Sequence, residues 1–337
     1  MTATRLADDS FKGEAVPAFR LASASGLSAV ISAYGGRLLS LHIPDGGKGA
    51  DVVMGTPPPR HFADGDRYAG AICGRYANRI RDAQFSLDGV RHRLTPNEGA
   101  NQLHGGPDSF SDRVWTAEID GDSIVLSLSS ADGDQGFPGR LDVTARYRLV
   151  ESVLSLTLEA RSNAPTVVNL TQHAYWNLAG SGDMSDHNLM ITAERYTPVD
   201  GANIPMGESQ SIAGTDFNFL SPRSLGEALR RRPEGFDHNF CLLGQRGELN
   251  PAAHLEHPRS GRVMALWTTE PGLQVYTAQH FGPGILGKPG QKLRRFGAIA
   301  LEPQTWPDSP NRPAFPSAVL RPGETYRHHM EWRFGWA

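Results

Sequence analysis

Apolar and polar residues alternate with a period of two along much of the chain. Leu141, Val143, Ala145, Tyr147 and Leu149 share one side of an extended segment, and Leu154, Leu156 and Leu158 repeat the pattern shortly after. Successive side chains of a strand point to opposite faces, so both segments read as half-buried strands, and their closeness suggests antiparallel pairing. Asp88-Gly89, between QFSL and VRHRL, and Asp120-Gly121, between WTAEI and DSIVLSLS, supply residue types that tolerate the positive φ of tight hairpin turns. Further strands are expected in AVIS, LLSLHI, NLMITA, VMALWTT, LQVYT, GAIALE and TYRHHMEWRF. Helical periodicity is scarce; SLGEALRR, after Pro222 and with Ser224 as N-cap, is the clearest instance. The pattern predicts an all-β fold, a large antiparallel β-sandwich with few short helices and a cleft bordered by loops.

Composition narrows this picture without changing it. With no linker-like stretch and no solenoid repeat, residues 1–337 are expected to form a single domain, a size that β-sandwiches can reach. The 37 glycines and 24 prolines fit many turns between short strands. The 33 basic residues are balanced by 36 acidic ones with no long run of either sign, which leaves no electrostatic footprint for nucleic acid and favours a neutral small-molecule partner. The amino terminus lacks the pattern of a secretory signal and no apolar run is long enough for a membrane span, so a cytoplasmic protein is expected. Cys73 and Cys241 are too few for a disulfide scaffold and are expected to be free thiols.

Candidate chemistry concentrates in GRYANRI, NEGANQLHGG, NLTQHAYWNLAG, ALEPQTWPDSPN and, more weakly, GFDHNF. In these, His104, His173 and Glu302 are the titratable residues of interest. A histidine in a Gly-bounded turn is more often structural than catalytic, and Glu302 at the end of GAIAL can equally be an exposed strand end. Metal chemistry finds no support, because HExxH and CxxC are absent and His328 and His329 are adjacent on a strand and so point to opposite faces. There is no GxSxG elbow, Walker pattern or strand-coupled GxGxxG. Acid/base chemistry by His and Glu remains, with Arg79, Asp237, Asn and Gln as hydroxyl binders and Trp or Tyr as stacking surfaces.

The same motifs, in this order along nearly the whole chain, resemble the aldose 1-epimerases, or galactose mutarotases: GRYANRI, NQLHGG, TQHAYWNL, GFDHNF, PGLQVYT and LEPQTWPDSPN, then FPS and LRPGETY. The resemblance implies a galactose mutarotase-like supersandwich that needs no metal or nucleotide cofactor and acts on a free sugar such as galactose or glucose. It implies Glu302 as general base, His173 as general acid and His104 as the second histidine near the ring oxygen. Arg79, Asp237 and Gln274 would grip sugar hydroxyls, beside Asn78 and Tyr175. Trp176 or Trp306 would pack on the sugar's C–H groups, the competing reading being that each is a core residue. Pro303, Trp306, Ser109-Phe110 and Asn218 depart from the family's usual residues, which leaves the acid and base intact and bears on substrate identity.

Anomer exchange needs a proton to leave the C1 hydroxyl while another reaches the ring oxygen, so a base and an acid suffice and no electron sink is required. A carboxylate near His173 would raise its pKa, and partial burial would raise that of Glu302. A non-catalytic sugar-binding domain is one alternative. An epimerase of a hexose 6-phosphate is another, with Arg75, Arg79 and Arg81 as candidate phosphate ligands. A monomer or a homodimer is compatible with the sequence.

Overall fold

The protein is described from a computed structural model covering residues 2–11, 14–45, 49–56, 66–282, 285 and 287–337. Three antiparallel sheets build the architecture. The largest has nine strands in the spatial order Thr116–Asp120, Ser123–Ser130, Leu141–Val150, Val153–Ser162, Tyr326–Trp336, Arg262–Thr268, Asn250–His257, Asn188–Ile191 and Arg223–Ser224. A seven-stranded sheet runs Gln210–Ser211, Ala193–Tyr196, Asp237–Leu242, Gly272–Tyr276, Ile299–Gln304, Tyr175–Trp176 and Val53–Met54. The third sheet has five strands near the amino terminus, from Thr2–Arg5 to Ala50–Asp51.

Period-two patterning accounts for the packing. Leu141–Val150 alternates buried and exposed positions at every residue, and the buried set of Leu141, Val143, Ala145, Tyr147 and Leu149 is the one the sequence marks. Those side chains join Leu21 and Ile31 of the five-stranded sheet and Leu273, Ile299 and Leu301 of the seven-stranded sheet in one continuous core. All three sheets therefore meet over the same apolar layer, the arrangement expected when each sheet has one face to remove from water.

The turns follow the local chemistry. Asp88 and Gly89 take φ of 51° and 79° and connect Gln84–Leu87 to Val90–Arg93. At the other hairpin the two-residue turn is Gly121-Asp122, because Asp120 pairs with Ser123 and stays in its strand. The expected helix spans Leu225–Arg231, and the Ser224 side chain accepts the Glu227 N–H. The segment NLMITA is not one strand: Asn188–Ile191 belongs to the nine-stranded sheet and Ala193–Tyr196 to the seven-stranded one, so the chain changes layer at Thr192. His328 is fully buried while His329 is only partly so, as their adjacency on a strand requires. Cys73 and Cys241 are both buried and free. No helix of the described residues is long and apolar enough to cross a membrane.

Several histidines are buried in neutral form. Burial lowers the pKa of His187 to about 3 and that of His238 to about 4, against an ordinary 6.5. The unfolded chain takes up these protons as pH falls through 6.5, whereas the folded chain resists until about 4 and 3. Folding stability is therefore lost progressively below pH 6.5, by about 1.4 kcal/mol per such histidine at roughly pH 5.5. Urea midpoints of His187→Gln and His238→Gln that fall between about pH 7 and pH 5.5 as much as the wild type's would contradict this assignment.

Candidate active site

Strand register gathers the site. Residues opposite one another in antiparallel strands share a sheet face. Asp237 pairs with Tyr276, Tyr276 with Ala300, and Ala300 with Tyr175, forming one row across the seven-stranded sheet. The next row is Asn239, Gln274 and Glu302. Residues of the opposite parity, Phe240, Leu273, Val275, Ile299, Leu301 and Trp176, point into the core. The alternation that builds the sandwich thus also presents Glu302 and Asp237 on the other face.

Loops deliver the histidines. His104 and Asn78 both adopt positive φ, 49° and 62°, and lock together: His104 N–H donates to the Asn78 carbonyl at 3.0 Å and Asn78 N–H to His104 Nδ1 at 3.2 Å. Gly105 follows at φ 89°, where a Cβ would lie 2.0 Å from the Gly74 carbonyl oxygen, so no larger residue fits behind His104. His173 is held by its backbone, which donates to Ala71 O and accepts from Gly70 N–H, both at 2.8 Å.

These residues surround a cavity of about 430 Å³ lined by His104, His173, Glu302, Arg79, Asp237, Asn78 and Tyr175 of the sequence-derived set. His173 Nε2 lies 3.5 Å from Glu302 Oε1. The His104 and His173 rings are 5.3 Å apart, edge to face, and Tyr68 packs on both. His173 Nδ1 and Glu302 Oε2 are buried with no protein partner. On one wall Arg79 forks onto Glu98, with Nε at 2.6 Å and Nη2 at 2.8 Å, and its Nη1 is 3.6 Å from Asp237. Gln274 and Asn203 hold Asp237 at 2.5 and 3.1 Å. On the opposite wall the buried Asp66 carboxylate accepts from the Tyr175 hydroxyl at 2.7 Å and contacts His280 Nε2 at 2.9 Å, and Tyr276 closes the chain on His280 Nδ1.

Burial dominates the electrostatics. It pushes the Glu302 carboxyl well above the ordinary 4.5, reinforced by the charge of Asp237. Burial also lowers His173, although the Asp66 charge opposes the shift, so the upward shift expected from a neighbouring carboxylate does not win. His104 is held well below 6.5 by burial and by His173.

His104, His173 and Glu302 place their donor atoms within 4.8 Å of one another, as a metal site would. The tautomer of His104 argues against a metal there: Nδ1 accepts the Asn78 N–H, so in the neutral ring the proton sits on Nε2, the nitrogen left to face the cavity. A ring in that state donates to an oxygen and does not ligate a cation through Nε2. The donor set suits proton transfer at a hydroxylated ligand.

The family model described as Aldose 1-epimerase matches residues 17–333. This chain belongs to the aldose 1-epimerase family. It is 39% identical to galactose mutarotase of Bos taurus over 308 residues, 90% of each chain. To aldose 1-epimerase of Escherichia coli it is 37% identical over 321 residues, 92% of each. Among solved structures, an aldose epimerase homologue from C. elegans superposes with a TM-score of 0.88 at 29% identity, covering 94% of this chain and 98% of that one. Galactose 1-epimerase from Lactobacillus acidophilus gives 0.86 at 26% identity, covering 100% and 99%.

Three candidates lie outside the cavity lining. Trp176 is fully buried in the core against Trp332 and Phe334, because its strand neighbour Tyr175 takes the cavity face. Trp306 packs on Phe315 and donates Nε1–H to the Pro271 carbonyl at 3.0 Å, away from the cavity lining. Gln274 does not line the cavity either; on the same sheet face it donates to Asp237 and holds that carboxylate in place.

Among the lining residues that escape the sequence reading are Glu98, Tyr68, Asp66, Asn203, Tyr276 and His280, and beside them Arg67, Leu103, Gln279 and Ile285. Glu98 lies within the NEGANQLHGG cluster, and Tyr276 follows Gln274 by two on a strand, so parity alone puts it on that face. Asp66, Tyr68, Asn203 and His280 carry no comparable local signal. Neither Arg75 nor Arg81 lines the cavity. Arg75 donates to the carbonyls of Ser130, Phe137, Pro138 and Gly139, and Arg81 pairs with Asp200 at 2.9 Å.

Proposed function

We propose that the protein interconverts the α and β anomers of a free, neutral aldose, with Glu302 as general base and His173 as general acid. The observation that carries this reading is the 3.5 Å approach of His173 Nε2 to Glu302 Oε1 inside a cavity also lined by Arg79, Asp237 and His104. Burial raises the pKa of Glu302 and lowers that of His173, which narrows the difference in proton affinity between the facing carboxyl and imidazole and eases passage of one proton between them. In the ionic arrangement of that proton, the Glu302 carboxylate takes the C1 hydroxyl proton and the His173 imidazolium gives its proton to the ring oxygen. The C1–ring oxygen bond breaks and an open aldehyde forms. Rotation about C1–C2 presents the other carbonyl face; His173 then recovers its proton from the C5 hydroxyl as that oxygen attacks C1, and Glu302 returns its proton to O1. Atoms and charges balance over the cycle, and the neutral His104 donates from Nε2 toward the ring oxygen.

Arg79 and Asp237 supply charge-assisted hydrogen bonds to hydroxyls, and the rings of Tyr68, Tyr175 and Tyr276 offer apolar surface. Asp66, Glu98, Asp237 and Glu302 all line the cavity, while Arg79 is engaged by Glu98 and Arg67 pairs with Asp112 at 2.5 Å. That balance disfavours a phosphorylated sugar. A pair poised for proton exchange is of little use to a purely sugar-binding domain, which disfavours that alternative too.

Polarimetry of freshly dissolved α-glucose and α-galactose tests the reading. The protein is expected to speed the approach to the equilibrium rotation of at least one of them, and more than that of glucose 6-phosphate. No acceleration with any aldose would end the proposal.

A further inference from the structure

Asp66 stands out because no acid/base step above uses it. Its side chain is only 5% exposed, and it accepts hydrogen bonds from Tyr175 Oη at 2.7 Å and the Tyr68 backbone N–H at 2.8 Å, with His280 Nε2 at 2.9 Å. Both tyrosines touch the acid of the proposed reaction: the Tyr175 ring is 5.0 Å from the His173 ring, and Tyr68 stacks on it at 6.2 Å. The segment bearing Asp66 is tied to the His173 backbone through Gly70 and Ala71, each at 2.8 Å, and the Gln172 side chain donates to Gly70 O at 2.8 Å. Arg37 fixes the same segment from below, through the carbonyls of Arg67 and Ala69. The buried carboxylate is thus joined to the His173 ring through Tyr175 and Tyr68 and to its backbone through Gly70 and Ala71.

We propose that Asp66 is a positioning residue for His173: it orients the ring through Tyr175 and Tyr68, and its negative charge sustains the imidazolium form that protonates the ring oxygen. This rests on the anomerase reading above. Burial works against the charge of Asp66, yet its hydrogen bonds from His280 and Tyr175 and the nearby imidazoles hold the carboxyl below the usual range, so it stays ionised throughout the working range. The other groups acting on His173 are Glu302 at 3.5 Å, Asp237, which favours its charge, and His280, which opposes it; His104 and the tyrosines Tyr68 and Tyr175 pack on the ring. Among these, Asp66 is the strongest influence opposing the burial of the imidazolium.

The test is the pH profile of kcat/KM for Asp66→Asn and Asp66→Ser, with wild type and Asp66→Glu alongside. The alkaline limb marks loss of the last proton shared by His173 and Glu302, so removing a nearby negative charge is expected to move it down by about one pH unit, roughly a tenfold loss on that side. Asp66→Glu is expected to keep the limb near its wild-type position with a lower kcat. A folded neutral variant whose limb does not move overturns the proposal, as does failure of both neutral variants to fold, which would make Asp66 a structural residue. Wild type that accelerates no aldose sinks the anomerase reading instead, so the two failures remain distinct.

Discussion

Glu302→Gln is expected to lower kcat by about 10²- to 10⁴-fold, the span that a positioned general base contributes. Glutamine keeps the shape and an acceptor oxygen, so sugar binding through Arg79 and Asp237 should survive and KM should change little. Stability should move the other way. The folded-state pKa of Glu302 is raised by burial, so its favourable contribution is complete below the ordinary 4.5 and is lost as pH rises through the elevated value. Glutamine carries no such penalty, and the variant should melt at or above the wild-type temperature at about pH 8 while losing that advantage at about pH 4. Polarimetric kcat and calorimetric melting at both pH values check this. Turnover within threefold of wild type would remove Glu302 from the chemistry.

Trp176→Ala is expected to cost about 3–5 kcal/mol of folding stability, the range for emptying a large aromatic from a core. The indole is fully buried, with ring centroids 5.7 Å from Trp332 and 5.8 Å from Phe334, across the interface between the seven- and nine-stranded sheets. Trp176→Phe should lose less, because it keeps one ring in the gap. Neither change removes a group that lines the cavity, so KM measured on the folded fraction should stay close to wild type. A large rise in KM at unchanged stability would mean that the indole reaches the sugar after all.

The sandwich was legible because both of its faces obey one period. Leu141 to Leu149 announced their strand, and the same rule carried through LQVYT and GAIALE, where the residues between the apolar ones turned out to be Gln274, Tyr276, Ala300 and Glu302. Parity also separates Tyr175 from Trp176, but a dipeptide of two aromatics does not say which of them is inside; only pairing of Tyr175 with Ala300 decides it. The cavity wall built by Asp66 and His280 was invisible, since these residues are 214 positions apart and neither stands in a motif. Nor does a chain of letters reveal that burial outweighs Asp66 at His173, because desolvation depends on everything packed around the ring.

Between Asn188–Ile191 of the nine-stranded sheet and Ala193–Tyr196 of the seven-stranded sheet stands a single residue, Thr192. One residue spans at most about 3.6 Å, which leaves no slack for the layers to part or slide at that seam. That short link ties the strand beside Asp237–Leu242, and with it one wall of the cavity, directly to the nine-stranded sheet.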